Sequence, residues 1–283
     1  MKIILIYIAF LCITANQYIL AQDDQIINNE TKANIYFKQG EEYFKQKKYY
    51  EAIDKFNEVI KEDPELLEAY LNIGTCYAEL KDFEKALKYF NYAIKLKKTS
   101  ALAYNLRGIT FYELKEYHNA ISDFTEAIKL KPAFAEAYLN RAVTKSQLKL
   151  YEEAIKDFTQ AIKLDKNYID AYNRRGLIYL EMNKFALAIK DFDYSLKLKP
   201  EQADIYNNRA NCKYQLNLIT EAIKDFDQAI KLNPNLSSAY FNRAIAYLKL
   251  MQFDNACNDL NKAKQLGIEN SQQIIDKYCK GNK

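Results

Sequence analysis

The chain is poor in the residues that most chemistry needs. It has one histidine, His118, with six glycines and four prolines in 283 residues. A single imidazole leaves no histidine-based relay and no histidine-rich metal cluster, and no glycine-rich stretch is present to cradle a phosphate. Excess charge of one sign is missing too. The 41 basic and 37 acidic residues are interspersed and sum to +4, so no basic arm exists for nucleic acid. What remains is a chain 49% hydrophobic and short of helix breakers, which predicts a helical protein with a large core. Carboxylates alone are a thin basis for catalysis, so a non-enzymatic protein with no cofactor and no metal is expected.

One long apolar run exists, at the start. Met1 and Lys2 precede an unbroken apolar stretch from Ile3 to Ile13, and a small residue, Ala21, stands before Gln22. That order predicts a secretory signal peptide over residues 1–21, cleaved near Ala21, and an exported chain, periplasmic or secreted. The alternative is a retained anchor over Ile3 to Ala21, interrupted by Thr14, Asn16 and Gln17; a membrane partner is expected only in that case. Cys12 follows Ala9, Phe10 and Leu11, which lack the small residue that acylation of a lipoprotein signal needs just before its cysteine. Residues 22–32 form a polar leader.

Beyond the leader the chain repeats with a period of 34 residues, in seven units: 33–66, 67–100, 101–134, 135–168, 169–202, 203–236 and 237–270. Position 4 is Tyr in every unit, from Tyr36 to Tyr240, and position 20 is Ala, from Ala52 to Ala256. Position 8 is Gly or Ala, and position 24 is Phe until Leu260 replaces it. Positions 4, 8 and 11, and again 20, 24 and 27, step by four and three, so each unit holds two helices that bury one stripe each. The turn falls near positions 15 and 16. Antiparallel pairing then opposes positions that sum to about 31, setting large residues against small ones. Pro64, Pro132, Pro200 and Pro234, all at position 32, are expected to close one unit and suit the first turn of the next.

These columns resemble the tetratricopeptide repeat family over residues 33–270. The resemblance implies an all-α fold: a right-handed superhelical solenoid of seven helix-turn-helix repeats, with the first helix of each lining a concave groove. A hairpin cannot bury its own apolar face, so the ends need caps, and residues 271–283 supply a capping helix and tail. Many of the 24 tyrosines fall on positions 4 and 11, where they are core and leave little for stacking on bases or sugars.

Two columns change together. Position 7 is Arg in units three to seven (Arg107, Arg141, Arg175, Arg209, Arg243), and position 23 is Asp in the same five (Asp123, Asp157, Asp191, Asp225, Asp259). The first two units carry Gln39 with Lys55 and Ile73 with Tyr89. Seven and 23 sum to 30, so five ion pairs inside hairpins are expected, with unit two as an apolar version.

Position 6 lies with 2, 5, 9, 12 and 13 on the side that faces the groove in this family. Asn72, Asn140, Asn208 and Asn242 occupy it, with Arg174 among them. Such a row resembles the asparagine ladder of the O-linked N-acetylglucosamine transferase superhelix, whose amides bind an extended peptide backbone. The resemblance makes these residues groove candidates, together with Tyr112 and Tyr214, and makes Arg174 a cation suited to a ligand carboxylate. Solvated polar residues with no ligand are the other reading. Apolar positions such as Leu71, Ile109 and Leu180, edged by Glu136, Asp170 and Asp204, favour a partly apolar, partly basic segment. The carboxylate clamp of cochaperone repeats is incomplete: Asn140 and Arg174 match it, whereas Asn105, Ile109 and Asp170 do not.

Position 29 is Lys in six units, a row that helix dipoles alone account for. Cys76 and Cys212, both at position 10, are too far apart in the array to pair, and small core residues are expected there. Cys257 and Cys279 fall level across the turn near Gly267, so a disulfide pinning the cap is expected in an exported chain. The run from Ala256 to Gly267 and the ending Lys277-Tyr278-Cys279 are similar to C-termini of exported repeat proteins of Bacteroidetes-type bacteria. The function expected is an exported scaffold that binds a protein or extended peptide in its groove, with no role in nucleic-acid binding. The alternative is a structural or accessory subunit of an envelope or secretion complex, held through its convex face or ends.

Overall fold

The computed structural model describes residues 31–279. The expected signal peptide, Cys12 and nearly all of the polar leader lie outside the described residues. Those described form fifteen α-helices and no strand. By contact they divide into two compact units, one ending at Leu150 and one starting at Tyr151.

The first unit holds α1 (Lys32–Lys45), α2 (Tyr49–Glu62), α3 (Leu67–Glu79), α4 (Phe83–Leu96), α5 (Ala101–Glu113), α6 (Tyr117–Leu130) and α7 (Ala135–Gln147). The second holds α8 (Tyr151–Leu164), α9 (Ile169–Glu181), α10 (Phe185–Leu198), α11 (Ala203–Gln215), α12 (Ile219–Leu232), α13 (Ser237–Lys249), α14 (Phe253–Gln265) and α15 (Ser271–Tyr278). Within each unit every helix packs on its sequence neighbours. Alternate odd-numbered helices also touch: α3 with α5 and α5 with α7 in the first, α9 with α11 and α11 with α13 in the second.

Each hairpin turns without glycine. Lys47, Lys81, Lys115, Lys149, Asn183, Asn217 and Met251, all at position 15, hold φ between 56° and 63°. The amide of Lys47 donates to the carbonyl of Phe44 and that of Lys48 to Tyr43, both at 2.9 Å, and Lys81 and Asp82 repeat the pattern on Ala78 and Tyr77. This paired closure satisfies the last carbonyls of the helix and offsets the left-handed backbone.

In four hairpins the core is a phenylalanine against a glycine: Phe56 on Gly40, Phe90 on Gly74, Phe124 on Gly108 and Phe192 on Gly176. Phe90 and Phe192 are at most 1% exposed. A Cβ added at Gly74 or Gly176 would come within 2.6 Å of the facing ring, so these two helix pairs approach as closely as glycine permits. The prolines correct one expectation. Pro64, Pro132, Pro200 and Pro234 each stand one residue past the cap of the preceding helix (Asp63, Lys131, Lys199, Asn233), outside the first turn of the next. There a ring with no N–H costs no hydrogen bond, and the Pro64 carbonyl accepts from the Tyr70 hydroxyl at 3.0 Å.

Candidate binding surface

The arginines at position 7 are part of the scaffold. Arg107 grips Asp123 through Nε and Nη2, both at 2.7 Å, and the bidentate pattern recurs in Arg175 with Asp191, Arg209 with Asp225 and Arg243 with Asp259. Hydrogen bonds donated to the Asp123 carboxylate raise the Arg107 pKa above its ordinary value against the opposing effect of burial. The remaining expected pair, Arg141 with Asp157, has one member in each compact unit. Each guanidinium also lies over the tyrosine at position 4 of its own repeat, 5.2 to 5.8 Å from the ring centroid.

A third partner escaped the reading of columns within one unit. Nη1 of each arginine reaches position 25 of the preceding repeat: Arg107 to Asn91 at 2.6 Å, Arg141 to Thr125 at 3.0 Å, Arg175 to Thr159 at 2.8 Å and Arg209 to Asp193 at 2.7 Å. Arg243 reaches Asp227 in the same way. The signal was present, because position 25 holds a short side chain with an acceptor oxygen in every one of these repeats.

The asparagines at position 6 differ from expectation. Asn72 and Asn140 are only 4% and 7% exposed, which takes them off any open groove surface. Asn140 donates to the Asn105 side chain at 3.2 Å, and Asn105 donates to Glu136 at 3.3 Å, a polar seam between α5 and α7. Asn242 donates to Asn207 at 3.3 Å, repeating the contact between α11 and α13. At position 6, Asn140 and Asn242 are therefore engaged in joining successive first helices, while the buried amide nitrogen of Asn72 has no hydrogen-bond partner. Asn208 stays half-buried. Arg174 is no free cation: its Nε meets Asp170 at 2.7 Å, one turn back on α9. Tyr112 packs within its own hairpin, 5.5 Å from the ring of Tyr117. Burial pushes the Glu136 carboxyl above the usual range, partly offset by the bonds from Asn105 and Asn140.

A concave pocket of about 510 Å³ lies in the second unit, lined from α9, α11 and α13 with Phe185 of α10 and Phe226 of α12. Leu180, Phe185, Phe226, Phe241 and Ile245 supply its apolar walls, and Tyr214 and the amides of Asn183, Asn211, Gln215 and Asn242 supply its polar groups. Two expected residues, Tyr214 and Asn242, thus share one cavity, while Arg174 and Asn208 lie outside its lining. Asn211 and Ile245 at position 9, and Gln215 at position 13, come from groove columns already identified but had not been singled out. No lining residue is charged, and Lys249 stands at the edge, 5.2 Å over the Tyr214 ring. Amides that donate and accept, around an apolar floor, can hold a peptide backbone while its side chain is buried.

At the end of the second unit Cys257 of α14 is disulfide-bonded to Cys279, the residue that caps α15, with Cα atoms 5.8 Å apart. Cys76 and Cys212 are buried and outside any disulfide, and burial pushes the Cys212 thiol up to about 12. Among the described residues no group of His, Cys, Asp or Glu is placed to hold a metal ion, and no helix is long and apolar enough to cross a membrane.

Family models described as tetratricopeptide repeat match residues 33–66, 67–100, 101–134, 169–202, 203–236 and 226–265, and one described as TPR repeat matches 146–183. No curated protein matches the sequence. Solved structures share the fold. Pseudomonas aeruginosa pilF is 21% identical with a TM-score of 0.64, over 75% of this chain and 97% of its own. A tetratricopeptide repeat protein from Parabacteroides merdae is 17% identical with a TM-score of 0.60, over 87% and 97%. YrrB, described as a TPR protein with an unusual peptide-binding site, is 21% identical with a TM-score of 0.57, over 65% and 95%. At these identities the likeness is one of fold alone.

Proposed function

The chain belongs to the tetratricopeptide repeat family, generally non-enzymatic scaffolds for protein–protein interaction, and from that premise we propose that it holds an extended protein segment in the pocket of its second unit. The observation that carries this reading is the cavity itself: an apolar floor ringed by four amides and a tyrosine, with no charge in its lining. A segment with an apolar anchor side chain fits the floor, and its backbone finds both donors and acceptors at the rim. The peptide-binding site of YrrB, on the same fold, supports the reading by analogy.

Export is part of the proposal. The apolar start after Met1-Lys2 supports it, as does the Cys257–Cys279 bond, since disulfides persist in oxidising compartments. The similarity of the C-terminal residues to those of exported Bacteroidetes-type repeat proteins points the same way.

A peptide-display selection on the purified full chain tests the pocket. Selected sequences should carry an apolar anchor, bind the wild type and the exposed-face variant Lys224→Glu alike, and lose binding to Ile245→Asp. Binding that survives Ile245→Asp but is lost in Lys224→Glu would move the interaction to the opposite face, as an accessory subunit held there requires.

A further inference from the structure

The last helix is held by few non-covalent contacts. α15 spans eight residues, far short of the length at which an isolated helix is stable in water. It buries only Ser271 and Ile275, and the Ser271 hydroxyl has no hydrogen-bond partner. Ile275 packs with Ala244, Ala256 and Leu260, the Tyr278 ring stacks on Phe253 at 6.4 Å, and Lys264 reaches Gln272. The bond from Cys279 to Cys257 closes the far end.

Phe241 links this cap to the pocket. Its ring is part of the pocket wall, and it also packs against the Ala244, Leu260 and Ile275 cluster, as Tyr247 and Leu248 do. α13 therefore has the pocket on one side and the capping cluster on the other.

We propose that the Cys257–Cys279 disulfide is a redox latch on the pocket. Oxidised, it keeps α15 against α13 and α14 and the Phe241 wall in place; reduced by a dithiol, it releases α15 and loosens that wall. The proposal rests on the pocket being the ligand site. In the exchange a thiolate of the dithiol attacks one sulfur to form a mixed disulfide, which the second thiol of the reductant then displaces. Two electrons and two protons pass from the dithiol, which becomes a disulfide, to Cys257 and Cys279, which become thiols. Cys76 and Cys212 are thiols already, so among the described residues this bond is the reductant's target.

Hydrogen exchange on the full chain, with and without dithiothreitol, tests the latch and needs no ligand. Amides of α15 and of α13 should exchange about tenfold faster or more on reduction, with α1 and α2 unchanged. Cys279→Ser should match the reduced wild type and respond no further to reductant. Faster exchange in α15 alone, or in neither helix, overturns the coupling. Peptides from the display selection should bind the reduced protein about tenfold more weakly, and equal affinity overturns the regulation. If no peptide is selected, the exchange experiment still decides whether the bond holds the wall, so a failed site and a failed latch give different results.

Discussion

Arg209 and Asp225 stand on opposing helices of one hairpin with Nη2 and Oδ1 2.6 Å apart, and Nη1 of the same guanidinium meets Asp193 of the preceding hairpin at 2.7 Å. One side chain therefore closes its own repeat and fastens it to the repeat before.

Removing the acceptor strands a cation that is mostly out of water. The Arg175 and Asp191 side chains are 14% and 7% exposed. Asp191→Ala is expected to cost about 3 kcal/mol, at the low end for breaking a buried pair because Arg175 keeps Thr159. The double change Arg175→Ile with Asp191→Tyr copies Ile73 and Tyr89 of the second repeat and should recover most of that loss. Urea denaturation of the three proteins checks both statements; a double variant less stable than Asp191→Ala would refute the second.

Glu136 makes stability depend on pH in a definite direction. Burial raises its folded pKa, so the protonated form is favoured in the fold. Its contribution is complete below the ordinary carboxylate pKa of about 4.3 and is lost as pH rises through the higher folded value. Glu136→Gln lacks that loss. Its melting temperature should exceed that of the wild type by more at about pH 7 than at about pH 4.

Met251 holds φ at 56° and is 78% exposed, so it bears the cost of the left-handed turn with little packing in return. Met251→Gly should raise stability by about 0.5 to 1 kcal/mol. Asn217→Gly, in the same turn one repeat earlier, should be close to neutral because asparagine tolerates this backbone. Thermal melts of the two variants should differ in that order.

Arg174 was the residue on which a ligand carboxylate would have been placed. Its pairing with Asp170 predicts otherwise. Arg174→Glu puts two acids one helical turn apart and should cost about 0.5 kcal/mol. Peptide capture by the pocket should be unchanged. An affinity loss equal to that of Ile245→Asp in the binding assay would restore Arg174 to the site.

The period, the hairpins and the arginine–aspartate columns were legible because each depends on positions within one unit, where the fixed spacing of seven copies shows what faces what. Position 25 was missed because its partner belongs to the next copy, and no sum of positions inside a unit reveals it. The burial of Asn72 and Asn140 was illegible for a related reason: it depends on how near two first helices come, which the residues between them decide jointly. The pocket drew on columns 5, 6, 9, 12 and 13, all identified, and also on Asn183, Phe185 and Phe226 at positions 15, 17 and 24, which were not groove columns. Which copies leave room for a cavity depended on side-chain sizes in three adjacent repeats at once.

The reach of each arginine toward the earlier repeat gives the array a polarity. Of these arginine contacts, trimming repeats from the C-terminal side frees only the position 25 acceptors, and Asp193 and Asp227, already about half exposed, can turn to water. Trimming from the N-terminal side instead takes a partner from a guanidinium that water hardly reaches. As the chain leaves the ribosome, each acceptor is made before the arginine that will claim it, so each hairpin from the second to the sixth offers the next a polar place to dock.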